Sequence, residues 1–187
     1  EAMERSQLLL VSDYDKGTLK NGFVNTLESM AGSRGLRILG DIKPQNIRQW
    51  RSLHCITPNL DEAKNLYSQL RTGSSCPSES LELARELGQI LSLNVVLTLA
   101  EKGMAVSTAA GVAQSFPALC TAPKSFTGAG DTVLATLAAA LSCNADLNDA
   151  ALLANLAAAL AVSHPGTYAV AAEELSRGIQ NLETDGP

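Results

Sequence analysis

Short apolar runs alternate with stretches of helical spacing up to about residue 100, and this rhythm limits the chain to few architectures. Leu8-Leu9-Leu10-Val11 is a continuous apolar run of the kind found in strands buried on both faces. Leu36–Leu39, Leu53–Ile56 and Asn94–Leu99 follow as further short strands. Between them, Thr18–Met30 sets Leu19, Phe23, Leu27 and Met30 at helical spacing, with Gly32 and Gly35 as stops. A second helix is expected from the Asn59 region to about Leu70, and a third from Ser78 or Ser80 to about Leu91. Met104–Thr108 and Val112–Phe116 flank Ala109-Ala110-Gly111 as a hairpin, and helices near Ala129–Leu141, Leu147–Ser163 and Ala171–Asn181 complete the chain. The pattern predicts an α/β fold: a doubly wound, mostly parallel sheet flanked by helices. Each early strand ends in a polar loop, and in such sheets the C-terminal strand ends form the rim where ligands bind.

The chain has 187 residues, 45% hydrophobic and 18% charged, enough for one domain with a sizeable core. A net charge of −5 without any basic run argues against nucleic acid or an anionic membrane as partner. Cys55, Cys76, Cys120 and Cys143 form no C-x-x-C pair and read as reduced thiols of a cytoplasmic protein. Asn144, Asp146, Asn148 and Asp149 interrupt the long Ala/Leu segments, which are therefore buried helices rather than membrane spans. His54 falls in a buried-looking strand and His164 beside Pro165 in a turn, and two histidines with scattered cysteines do not make an ordinary zinc site. The Walker phosphate loop, G-x-G-x-x-G, H-E-x-x-H and G-x-S-x-G patterns are all absent.

Thr127-Gly128-Ala129-Gly130-Asp131 stands immediately before a run of strong helix formers. The first N–H groups of a helix lack internal partners and carry partial positive charge, and glycine lets an anion approach them, so this turn could hold a phosphate. A carboxylate beside a phosphate repels it, and Asp131 makes sense there as a general base for an attacking hydroxyl. Alone, the stretch reads first as a glycine turn with an acid in the first helical turn, stabilised by the helix dipole. Asn59-x-x-Glu62 opens a helix at a strand end, where Glu62 could hold magnesium directly or through water; it also reads as a capping box. Asn155 is the one amide in Ala150–Val162 and needs a hydrogen-bond partner, whether a ligand or a neighbouring helix. Asp13, Lys16, Asp41 and Lys43 follow the first two strands, where lysines could meet a phosphate or sugar hydroxyls.

Together these residues carry a resemblance. Thr127–Asp131 resembles the signature near the C-terminal end of the ribokinase-like (PfkB) carbohydrate kinases, and Thr57-Pro58-Asn59-Leu60-Asp61-Glu62 is similar to that family's N-x-x-E motif. Thr98-Leu99-Ala100-Glu101-Lys102-Gly103 resembles its nucleotide-ribose and phosphate loop, and Asn155 falls in its adenine-side helix. Order and spacing agree over nearly the whole chain. Ser12-Asp13-Tyr14-Asp15-Lys16-Gly17 is similar to the S-D-Y-x-K-G segment of the heptose-7-phosphate kinases of ADP-heptose synthesis, and Asp41-Ile42-Lys43-Pro44 to their D-P-K segment, with Ile42 a departure.

The resemblance implies ATP-dependent phosphoryl transfer to a sugar hydroxyl, taking heptose 7-phosphate to the 1,7-bisphosphate. Asp131 is then the base and Gly128, Ala129 and Gly130 the anion hole for the γ-phosphate. Asn59 and Glu62 organise Mg-ATP; Thr98, Glu101, Gly103 and Asn155 line the nucleotide; Asp13, Lys16 and Lys43 serve the sugar phosphate. A kinase of fructose, ribose or a nucleoside, or a non-catalytic nucleotide-binding module, is the alternative. Ser125 departs from the acidic residue that ribokinase-type members often carry there for a monovalent cation. The first strand matches one midway along such kinases, so residues 1–187 are expected to be the C-terminal, nucleotide-binding portion, without the sugar-binding segment and β-sheet lid. Strand edges left open in this way make self-association, as a homodimer or aggregate, an expected behaviour.

Overall fold

The computed structural model describes residues 2–184. Six strands, β1 (Leu8–Ser12), β2 (Arg37–Asp41), β3 (Leu53–Ile56), β4 (Asn94–Thr98), β5 (Met104–Ser107) and β6 (Ala113–Phe116), form one sheet in sequence order. β1 to β4 are parallel, β5 pairs antiparallel with β4, and β6 pairs antiparallel with β5 as the expected hairpin. Six helices accompany them: α1 (Asn21–Gly32), α2 (Leu60–Leu70), α3 (Ser80–Leu91), α4 (Ala129–Ser142), α5 (Leu147–Val162) and α6 (Ala172–Thr184).

The central strands are largely apolar because helices cover both faces of the sheet there. Val11, Ile38, Ile56, Val95, Leu97 and Ala105 point to one layer, which contains α1, α2 and α3. Leu39, Cys55, Val96, Met104, Val106 and Phe116 point to the other, built by α4 and α5. Successive side chains on a strand alternate between faces, so neighbours such as Ile38 and Leu39 enter different cores, and both are fully buried. Burial of each such aliphatic side chain is worth about 1.5–3 kcal/mol. The closed cysteine environment shows in the Cys55 thiol, which burial pushes up to about 12.

Helix ends follow local chemistry. Asp146 caps α5 by accepting from the Asn148 and Asp149 amides at 2.8 and 2.9 Å. α1 begins at Asn21 rather than near Thr18, because the Lys20 amide closes a tight turn onto the Thr18 carbonyl. It runs on to Gly32, since the residue that reverses the chain is Gly35, at φ +65°, with the Leu36 amide returning to the Ala31 carbonyl. The β2–β3 connection contains a 3-10 segment, Pro44–Gln49, that periodicity did not foretell. Val112 lies outside β6, 67% exposed in the hairpin turn. No helix among the described residues is long and apolar enough to cross a membrane.

Candidate active site

The four parallel strands end along one rim, with the first turn of α4 beside it. Ser12 and Asp41 are register partners at the ends of β1 and β2, so their side chains leave the same face of the sheet. Gly128, at φ +82°, is the N-cap of α4. The Ala129 amide turns back to the Phe126 carbonyl at 3.2 Å, whereas the Gly130 and Asp131 amides, at N2 and N3, have no acceptor inside the helix. A Cβ on Gly128 would meet Thr167 Cγ2 at 3.0 Å, and one on Gly130 would meet nothing within 4 Å. The turn is thus shaped by Gly128 and open at Gly130. Asp131 is exposed, and Tyr14 Oη donates to its Oδ1 and Oδ2, each at 3.1 Å; Ser12 Oγ approaches Oδ1 at 3.4 Å.

Next to it stands a compact charged group. Lys43 Nζ lies 2.7 Å from Glu62 Oε1 and 3.5 Å from Asp41 Oδ1, the latter an ion-pair distance too long for a good hydrogen bond. Burial, reinforced by the charges of Glu62 and Asp131, raises the Asp41 carboxyl above its ordinary value despite the opposing pull of Lys43. Burial pushes the Lys43 ammonium down, yet the Glu62 hydrogen bond and the Asp41 charge outweigh it and the net shift is upward. Asp41 Oδ1 and Thr57 Oγ1 are buried without a hydrogen-bond partner. Glu62 has a second duty: its Oε2 accepts from the Asn59 amide and Asn59 Oδ1 accepts from the Glu62 amide, both at 3.0 Å. The capping box exists, and the same glutamate faces the rim through Lys43.

A cavity of about 540 Å³ opens beside the α4 turn, and its lining includes Asn59, Thr98, Glu101, Gly103, Gly130 and Asn155. β4 and the start of α2 are joined there by the Thr98 amide on the Pro58 carbonyl at 2.9 Å. Gly103 turns the chain at φ +92°, and a Cβ on it would collide with the Phe116 carbonyl oxygen. Asn155, 4% exposed, donates from Nδ2 to the Pro117 carbonyl at 2.7 Å, which fixes the exit of β6 against α5. Leu119, Phe126, Val133 and Ala158 give the cavity apolar walls suited to a flat ring system.

Asp131, Ala129, Gly130, Asn59, Thr98, Glu101, Gly103 and Asn155 therefore gather at one place, with Gly128 shaping the turn and Glu62 at the adjoining end of α2. Of the remaining three, Lys43 stands in the charged group beside the site, and Asp13 and Lys16 lie away from the cavity. Asp13 is 4% exposed, and its carboxylate accepts from the Asp15 amide, the Lys43 amide and Asn46 Nδ2 at 2.8, 3.2 and 2.8 Å. It faces the α1 side because Val11 does, two residues earlier. Lys43 turns to Glu62, and Lys16 is exposed on the β1–α1 loop. Ser12 and Tyr14 were not among the expected site residues, although strand alternation past Val11 would have placed Ser12 on the α4 side. His54 pairs with Asn94 Nδ2 at 3.3 Å, its pKa lowered by burial and by Arg37, and His164 stacks on Tyr168 at 3.7 Å. Neither histidine joins the site.

Three kinds of comparison bear on this arrangement. The model of the pfkB family carbohydrate kinases matches residues 4–174. Bifunctional protein HldE of Pseudomonas putida (strain GB-1) is 37% identical over 183 residues, covering 97% of this chain and 37% of the relative. HldE of Stutzerimonas stutzeri is 36% identical over 179 residues, 95% of this chain and 36% of the relative. The chain thus spans little more than a third of the length of these relatives. Among solved structures, Thermotoga maritima ribokinase superposes with a TM-score of 0.74 at 21% identity, and Escherichia coli phosphofructokinase-2 in complex with potassium with 0.77 at 19%; each match covers 94% of this chain and 57% of the other. These likenesses agree with the ribokinase-like sheet described above. The chain belongs to the pfkB family of carbohydrate kinases.

Proposed function

We propose that these residues form the nucleotide-binding and phosphoryl-transfer centre of an ATP-dependent sugar kinase whose acceptor is heptose 7-phosphate and whose product is the 1,7-bisphosphate. The observation that carries this reading is the meeting, at one rim, of an exposed carboxylate, two helix-start amides and an apolar-walled cavity. The cavity takes the adenine and ribose of ATP between the Thr98–Gly103 loop and α5. The open amides of the α4 turn receive the γ-phosphoryl group, whose charge spreads over its equatorial oxygens during transfer. Asp131 accepts the proton of the acceptor hydroxyl as that oxygen bonds to phosphorus and the bond to the ADP oxygen breaks. Lys16, exposed on the β1–α1 loop, is the cation we assign to the sugar phosphate; Asp13 serves by holding its loop, and Lys43 by fixing Glu62.

Magnesium fits the donor set here. Asp41 and Glu62 are hard oxygen donors, Asp41 Oδ1 has no hydrogen-bond partner, and both Glu62 oxygens already accept bonds, which favours contact through water. Among the described residues no three such side chains close on one point as a protein-only cage; Asp41 and Glu62 would hold the ion together with oxygens supplied by the nucleotide phosphates. When bound it supplies neutralisation of phosphate charge.

The identity of the acceptor rests on the HldE likeness and on the Ser12–Gly17 stretch. Asp131→Asn in the full-length protein tests the base: turnover falls by about 10²–10⁴-fold while ATP still binds. Near-normal turnover would remove Asp131 from that role. Heptose 7-phosphate assayed against ribose and fructose tests the acceptor, and a preference for either of the latter would reassign it.

A further inference from the structure

A carboxylate that takes a proton from an acceptor must offer that hydroxyl a free lone pair. In this structure both oxygens of the exposed Asp131 carboxylate already face hydroxyl donors. Tyr14 Oη spans both oxygens at 3.1 Å, and Ser12 Oγ stands 3.4 Å from Oδ1. A phenol and a sugar alcohol present the same group to a carboxylate, one O–H donor on carbon. Tyr14 therefore competes with an acceptor hydroxyl for the same carboxylate.

We infer that Tyr14 is a positioning residue that gates Asp131: its hydroxyl holds the acceptor position on the base in the free protein and yields it when the sugar binds. The inference rests on the reading of Asp131 as base. The loop is built for such an exchange. Its root is fixed, since the Asp13 amide bonds the Asp41 carbonyl at 2.8 Å and the Asp13 carboxylate has three donors. The Tyr14 ring is 64% exposed, so it can turn about its own bonds while the loop stays in place.

The gate has a chemical purpose. Were water to occupy the acceptor position, its oxygen would bond to the γ-phosphorus and its proton would pass to Asp131. The bond from phosphorus to the ADP oxygen would break, yielding ADP and inorganic phosphate with no sugar phosphorylated. A phenol hydroxyl on Asp131 keeps water from that position until the sugar displaces it.

The test is Tyr14→Phe in the full-length protein, which removes the hydroxyl and keeps the ring. ATP hydrolysis without acceptor should rise about fivefold and the heptose 7-phosphate KM should fall by a similar factor, because a competing hydrogen bond is gone. Adding Asp131→Asn should abolish that rise. Flat idle hydrolysis in Tyr14→Phe, or a lowered kcat with unchanged KM, overturns the gate and leaves Tyr14 as a fixed prop. A second readout needs no turnover. With tyrosine 13C-labelled, the Tyr14 Cζ resonance, identified by its loss in Tyr14→Phe, should shift on Asp131→Ala and again when heptose 7-phosphate binds. A resonance indifferent to Asp131→Ala overturns the contact. A wild-type protein that transfers no phosphate while that resonance still responds to Asp131→Ala overturns the kinase reading and the gate with it. Intact transfer with flat idle hydrolysis overturns the gate alone.

Discussion

Lys43 and Glu62 stand 2.7 Å apart, and this ion pair is what allows three carboxylates to share one end of the sheet. Asp41 feels the charges of both Glu62 and Asp131, and Lys43 is the cation opposing them there. Lys43→Met keeps the aliphatic stem and removes the charge. The half-buried Glu62 then loses a partner, and the fold should be destabilised by about 1–2 kcal/mol. Chemical denaturation checks this; an unchanged midpoint would mean that solvent already screens the cluster.

The same group sets a pH dependence. The Asp41 carboxyl is raised above its unfolded value of 3.8, so the folded protein keeps this proton after the unfolded chain has lost it. The sign follows directly: the contribution of Asp41 to stability declines as pH rises from near 3.8 through the folded value, and stays at its lower level above it. Asp41→Asn cannot ionise and escapes that decline. The variant should gain on wild type across the window when unfolding is measured as a function of pH, and parallel curves would contradict the assignment. Lys43 acts at the other end of the scale. Its pKa is raised, so its stabilisation is present below the unfolded value of 10.5 and is lost as pH climbs through the folded one.

Gly103 has no tolerable substitute. Its φ of +92° is strained for any L side chain, and a Cβ would collide with backbone at the Phe116 carbonyl, at the Pro117 carbonyl carbon 2.5 Å away and at the Ala118 amide nitrogen 2.5 Å away. These atoms belong to the chain leaving β6, so the collision spreads to the cavity wall. Gly103→Ala should cost about 2–4 kcal/mol and weaken ATP binding together with stability. Thermal unfolding and calorimetry with ATP, run on the same preparation, give both values; retention of both would show that the two loops part without cost.

Much of this architecture was legible because two-sided burial writes itself into sequence. A strand covered on both faces is apolar along its middle, and Val95, Val96 and Leu97 of β4 are fully buried; the apolar run Leu8–Val11 also marks a strand, but an edge one whose Leu10 is exposed. Glycine was informative for the same kind of reason: Gly35, Gly103 and Gly128 all take positive φ, a conformation that L residues pay strain to adopt. What stayed hidden depends on contacts between distant segments. Tyr14 and Asp131 are separated by 117 positions, and no local pattern encodes a hydrogen bond between them. The pairing of Lys43 with Glu62 was not legible either, because Pro44–Gln49 turns the chain immediately after the lysine and its ammonium meets a helix 19 positions on. Strand alternation turns Asp13 to the α1 side, where it lines a second cavity with Asp15, Lys20 and Asn46. Counting faces two residues past Val11 would have shown that Ser12 and Asp13 cannot both look at α4.

Asn155 offers the sharpest separation of structure from ligand contact. Its Nδ2 holds the Pro117 carbonyl at 2.7 Å, and Ala118, Leu119 and Cys120, just beyond, line the cavity. Asn155→Leu keeps the volume and removes the donor. The Pro117 carbonyl then loses its partner, at a cost of about 1–3 kcal/mol, and the 117–120 segment is released from α5. ATP affinity should fall in step with stability, because the amide acts on the nucleotide through the wall it positions. Denaturation compared with calorimetry decides the matter: an affinity loss without a stability loss would assign Asn155 to the ligand directly.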